Sequence, residues 1–239
     1  MSKEIPILFS SPMVQAILAG RKTMTRRLVK FPLKCPTHQI SIGESDHAPI
    51  VEWAKWQPGD IIWVRESWSP KYVKGCLEEF KIVYPNNYPW IYKADNSDQK
   101  QGYAAHAWKP SIHMPRAAAR IWLEVTGITV ERLQDISTDD ITNEGVRYAV
   151  EKSDIPGMVH PCFKLGHENS ALSFMPENWK DLPEDKRSEA ILYAHWAELW
   201  CEINGRQNWD TNPWVWCIEF KVLSTTGKPM MSKQIELSK

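Results

Sequence analysis

The sequence predicts an α+β fold, a small β-barrel with peripheral helices. Three observations point there. Most apolar runs have the β-branched and aromatic make-up of strands. The run from 120 to 133 alternates, with Ile121, Leu123 and Val125 on one face and Ile128 and Val130 resuming after Gly127. Helical spacing is confined to three places, early, middle and late. A glycine inside a long strand marks a bulge or bend, as closed barrels need. The same periodicity is compatible with an open α+β sheet. With 239 residues and 43% apolar composition, the chain can bury a proper core.

Residues 5–9, Ile5-Pro6-Ile7-Leu8-Phe9, read as a strand. A helix over 11–19 follows, with Ser11 as its cap, Pro12 in its first turn and Gly20 as its stop. A cationic loop then leaves the helix C-terminus, where the helix dipole favours positive charge. Residues 31–56 have no clean period and read as an extended excursion. Gln57-Pro58-Gly59-Asp60 is a turn into a buried strand over 61–68, and shorter strands are expected at 80–84 and 90–93. A short acidic helix over 135–145 is capped by Ser137 or Thr138 and stopped by Gly145. Residues 146–185 read as a long insertion, a candidate lid. From 185 to 204, Ile191, Leu192, Trp196, Leu199, Trp200 and Ile203 form one apolar helical stripe. A strand over 214–223 closes a single domain spanning 1–224, and 225–239 is a polar tail.

Lysine plus arginine equals aspartate plus glutamate at 29 each, so no global field draws the chain to nucleic acid. Any such site is a local patch. Most of the thirteen tryptophans are expected in the core, with Trp63, Trp68, Trp90 and Trp108 as candidate base-stacking platforms. Five cysteines without regular spacing do not form a disulfide framework and point to a reducing compartment. No apolar leader or membrane-length segment is visible, so the expected location is cytoplasmic and no membrane partner is expected.

The chemistry concentrates in Gly20-Arg21-Lys22-Thr23-Met24-Thr25-Arg26-Arg27, where four cations and two hydroxyls occupy eight residues. Such a loop offers a base, a nucleophile and an anion clamp in one place. Lys22 is crowded by Arg21, Arg26 and Arg27, which lowers the pKa of an amine and lets it act as a base. Arg21, Arg26 and Arg27 are candidate substrate-binding residues. Arg65 and Glu66 interrupt an apolar strand, and alternation lets only one of them face a cleft. Cys35, His38, His160, Cys162 and His167 lie in irregular segments without a second Cys-x-x-Cys, so no metal is assigned. No phosphate-cradling glycine loop, nucleophile elbow or dinucleotide fingerprint is present, and no cofactor is expected.

The helix leading into Gly20-Arg21-Lys22-Thr23-Met24-Thr25, the Pro58-Gly59-Asp60 turn, the 133–145 segment and Trp216-Cys217-Ile218-Glu219-Phe220 together resemble the ASCH domain family, its larger bacterial and phage members in particular. The resemblance implies a PUA-like β-barrel and action on RNA or nucleosides. In its Gly-Arg-Lys-Thr-x-Thr motif the chain is similar to the N(4)-acetylcytidine amidohydrolases. That similarity implies Lys22, Thr25 and Glu144 as catalytic residues, with Arg27 as the motif's final arginine. Arg26 and the chain's greater length depart from those enzymes. The implied activity is hydrolysis of an acyl amide on a modified cytidine-type base, free or in a single strand. The rival readings are a non-catalytic RNA- or DNA-binding module and a ribonuclease, both using the same basic cleft.

Overall fold

The computed structural model describes residues 2–30, 51–70, 90–95, 108–146 and 171–229. In chain order the strands and helices are β1 (Glu4–Leu8), α1 (Ser11–Leu18), β2 (Met24–Leu28), β3 (Ile61–Arg65), β4 (Trp68–Pro70), β5 (Trp90–Tyr92), β6 (Trp122–Arg132), α2 (Thr138–Asn143), α3 (Glu184–Asn204), α4 (Arg206–Asp210) and β7 (Trp214–Ser224). The protein is mixed α and β, and its sheets are open among the described residues. The strand expected at 80–84, residues 31–50 of the first insertion and residues 147–170 of the second lie outside those residues.

The chain divides into two compact units, each assembled from separate stretches. The first comprises Met1–Leu18, Gly59–Val125 and Lys221–Lys239. Here β1 runs parallel to β3, from Glu4 opposite Ile61 to Leu8 opposite Arg65, and β3 runs antiparallel to the start of β6. Alternation along β3 puts Ile61 and Trp63 into a cluster with Trp68, Tyr92, Met114 and Trp122. The expected 61–68 strand is broken in two. Glu66 and Ser67 separate β3 from β4, which turns away to pair with β5.

The second unit comprises Ala19–Pro58 and Thr126–Phe220. The later half of β6, then β7, then β2 lie side by side, with β2 antiparallel to β7 from Met24 opposite Glu219 to Leu28 opposite Val215. Half of the expected cationic loop is therefore strand. At Gly127, β6 continues without a break. A Cβ there would lie 2.9 Å from Glu219 Oε2, the movable end of that side chain, which could swing aside.

Helix α3 packs its middle against Leu133, Ile141, Val146, Val215 and Cys217. Burial covers every residue from Ala194 to Trp200, the polar ones included: His195 and Glu198 are inside with Trp196, Leu199 and Trp200, whereas Ile203 is exposed. The apolar stripe thus marks one side of a segment that is covered all round. Gly205, at φ 87°, ends the helix.

Candidate functional site

The site is built within the second unit, where the chain leaving Gly20 passes under the end of α2. Gly20 has φ 69°, a left-handed conformation that turns the chain at little steric cost for a residue without Cβ. Thr23 then ties two elements together. Its amide donates to Asn143 O at 2.9 Å, and its carbonyl accepts from Phe220 N at 2.9 Å. Lys22 is carried inward by this tie and is 1% exposed.

The partner of Lys22 is positioned by a helix ending. Ser137 caps α2, accepting from Asp140 N at 3.1 Å. At the other end Gly145 N donates to Thr142 O and Val146 N to Ile141 O, a Schellman closure with Gly145 at φ 90°. Ile141 and Val146 share one apolar cluster, which pins that closure to the core. Glu144 is left as the C-cap residue, 5% exposed and turned inside.

Lys22 Nζ donates to Glu144 O at 3.0 Å and makes a close ion pair with Glu144 Oε2. The ammonium therefore satisfies a helix-end carbonyl and neutralises a buried carboxylate. Burial pushes Lys22 below the ordinary lysine range; Glu144 opposes that shift, while Arg27 and Arg26 add to it. Glu144 Oε1 is buried and has no hydrogen-bond partner. Its lone pairs stay open beside the Lys22 ammonium.

Arg26, 2% exposed, lies beside this pair. Its Nε donates to Glu131 Oε1 at 2.8 Å, its Nη2 to Asp140 Oδ2 at 2.8 Å, and its Nη1 stands 3.6 Å from Glu144 Oε1. The guanidinium also lies 5.9 Å from the Trp196 ring centroid. By strand alternation Thr25 and Arg27 take the face of β2 opposite Arg26. Thr25 is 1% exposed. Arg27 is half-buried; burial lowers its pKa against the opposing field of Glu144. Arg21 Nη1 donates to Gly145 O at 3.2 Å.

The structure thus joins Lys22 to Glu144 and places Arg26 against them. No hydrogen bond joins Thr25 to either member of the pair. Arg65 and Glu66 belong to the first unit, where their partners are internal. Arg65 Nε donates to Met114 O at 3.0 Å, and Arg120 grips both oxygens of Glu66 at 2.9 and 3.0 Å. Burial raises the Glu66 pKa, and its Arg120 bonds pull the other way. Trp63 and Trp68 are buried in the cluster of that unit, and Trp90 meets Trp68 edge to face.

Sequence reasoning missed Glu131, Asp140 and Trp196 as neighbours of the basic segment. The acidic face of the 135–145 helix was the available signal for Asp140. Glu131 had none, because its meeting with Arg26 depends on β6 and β2 flanking the same strand.

No protein-family model, curated protein or solved structure matches the chain. Among the described residues no helix is long and apolar enough to cross a membrane. Nor does any described group of histidines, cysteines and carboxylates have the arrangement of a metal site.

Proposed function

We propose that the chain is an ASCH-type protein with a PUA-like architecture that binds a modified cytidine-type base and hydrolyses an acyl amide on its exocyclic nitrogen. The observation that carries this reading is the buried Lys22–Glu144 pair, with one carboxylate oxygen unpartnered and the lysine pKa lowered by burial. A surface ion pair needs none of these features.

In the reaction the neutral Lys22 amine removes the Thr25 hydroxyl proton as Thr25 Oγ bonds to the amide carbon. The carbonyl π pair moves onto oxygen, and Arg27, on the same strand face as Thr25, stabilises that charge. When the tetrahedral species collapses, the C–N bond breaks. Glu144 passes the proton held by Lys22 to the departing exocyclic nitrogen. Water then attacks the threonine ester, releasing the carboxylic acid and restoring Thr25. The Thr25 hydroxyl closes onto the Lys22 amine when substrate binds, as catalytic hydrogen bonds often tighten only in the complex.

A binding module that grips phosphates has less support, because Lys22 and Arg26 are buried and paired with carboxylates. The test is incubation of the full chain with a panel of acylated nucleosides, N(4)-acetylcytidine among them, beside Lys22→Ala and Thr25→Ala. Turnover by the parent and loss in both folded variants is expected. Absence of turnover with every acyl nucleoside, together with salt-sensitive RNA or DNA binding, would overturn the reading in favour of a binding module.

A further inference from the structure

We infer that Arg26, held between Glu131 and Asp140, is a positioning residue that aims the free oxygen of Glu144 and sets the charge balance of the Lys22–Glu144 pair. Its kinetic consequence rests on the amidohydrolase reading; its electrostatic consequence does not.

A guanidinium presents its donors in a rigid fork, so fixing two edges fixes the third. One edge of Arg26 is taken by Glu131 from β6, with Nη2 to Oε1 at 2.6 Å and Nε to Oε1 at 2.8 Å. Another is taken by Asp140 from α2 at 2.8 Å. The remaining nitrogen, Nη1, meets Met24 Sδ at 3.3 Å and points its charge at Glu144 Oε1 from 3.6 Å. That distance is too long for a hydrogen bond, so Oε1 is attracted and oriented while its lone pairs stay available. An arginine that contacted substrate phosphate would need exposure, and Arg26 has almost none.

The described charged and titratable groups around this arrangement are Arg21, Lys22 and Arg27 on the entering chain, Glu131 on β6, Asp140 and Glu144 on α2, and Cys217 opposite Arg26 on β7. Helix α3 contributes the Trp196 ring. Arg26 with its two carboxylate partners carries one positive and two negative charges. Two kinds of substitution therefore push the Lys22–Glu144 pair in opposite directions. Arg26→Met leaves the two anions, which favour protonated Lys22. Glu131→Gln and Asp140→Asn keep an acceptor for Arg26 but strip one negative charge, so protonated Lys22 is disfavoured.

The experiment labels lysine at 13Cε in the full chain and follows the Lys22 resonance, assigned by its loss in Lys22→Arg, against pH. The apparent Lys22 pKa is expected to rise by about one unit in Arg26→Met and to fall by about half a unit in Glu131→Gln and Asp140→Asn. If Arg26→Met does not fold, the two carboxylate variants still decide, since a rise or no movement in both overturns the inference. A packing role alone predicts no such opposed pair of shifts. In parallel, the acid limb of kcat/KM for N(4)-acetylcytidine should move up in Arg26→Met and down in the other two. Opposed resonance shifts without turnover uphold the inference and defeat the amidohydrolase reading. Turnover with neither resonance nor profile moving defeats the inference and leaves that reading standing.

Discussion

Glu144→Gln tests the buried pair most directly, because it keeps the shape and an acceptor for Lys22 while deleting the counter-charge. Lys22 is 1% exposed, so without Glu144 the ammonium must either remain buried near Arg26 and Arg27 or release its proton. Removing one partner from a buried ion pair costs about 3–5 kcal/mol. Deprotonation sets the ceiling: an ordinary lysine has a pKa of roughly 10.4, and neutralising it at pH 7 costs about 4.6 kcal/mol at 1.36 kcal/mol per unit. The expected loss at pH 7 is therefore about 3 to 4.5 kcal/mol. Its pH dependence follows from the direction of the shift. A lysine whose folded pKa lies below its unfolded value binds fewer protons folded than unfolded, so stability rises with pH between those two values. The variant lacks the opposing pull of Glu144, its folded pKa lies lower still, and its deficit should narrow by up to about 1.4 kcal/mol per unit between that pKa and the parent's. Urea unfolding of parent and variant from pH 6 to 9 measures this. A deficit under about 1 kcal/mol at pH 6, or one that stays constant with pH, would refute Glu144 as the counter-ion of a buried lysine.

Thr25→Ala should abolish amide hydrolysis yet change unfolding stability by no more than about 1 kcal/mol, the net worth of a single neutral hydrogen bond; Thr25→Ser should keep measurable turnover. The double variant Lys22→Met/Glu144→Leu should be more stable in urea than Lys22→Met or Glu144→Leu alone, because either single change strands the other charge while the pair leaves none. Arg120→Ala strands Glu66, which is 1% exposed, and should lower stability by about 3 kcal/mol. Burial already raises the folded Glu66 pKa, and losing Arg120 raises it further. Acidification toward that pKa should therefore restore part of the loss in a thermal melt, as the folded state takes up the proton first.

The elements legible in the sequence were those whose apolar pattern is their own. The alternation of Ile121, Leu123 and Val125 and the dense final strand survive as β6 and β7, and of the two caps the sequence offered, Ser137 and Thr138, it is Ser137 that caps α2. β2 was hidden because Met-Thr-Arg-Arg-Leu has two central arginines and no strong strand preference. Its conformation comes from β7, which supplies the backbone partners from Glu219 to Val215. The stripe on α3 identified the helix but not its surroundings. Neighbours on several sides bury His195 and Glu198 as well, and helical spacing carries no information about neighbours.

Glu144 shows why half of a site can be legible and the other half not. The chain Ser137 to Gly145 reads as a capped helix with an acidic end, and an acidic end is ordinarily solvated. What turns it inward is the Schellman closure, which anchors Ile141 and Val146 in the core and leaves the side chain between them no open path. An inward carboxylate is tolerable only if cations arrive from elsewhere. Here they come from residues more than a hundred positions earlier, tied to the helix end through Thr23. Lys22 and Arg26 meet Glu131, Asp140 and Glu144, and Arg27 adds its field on Glu144 from the other face of β2, three charges against three, so Lys22, Arg26 and Glu144 can be buried together although none of them could be buried alone. Arg26 is the residue that makes the balance fail or hold. Without it Glu131 and Asp140 would face the site uncompensated, and the positive surroundings that favour a neutral Lys22 amine would be lost.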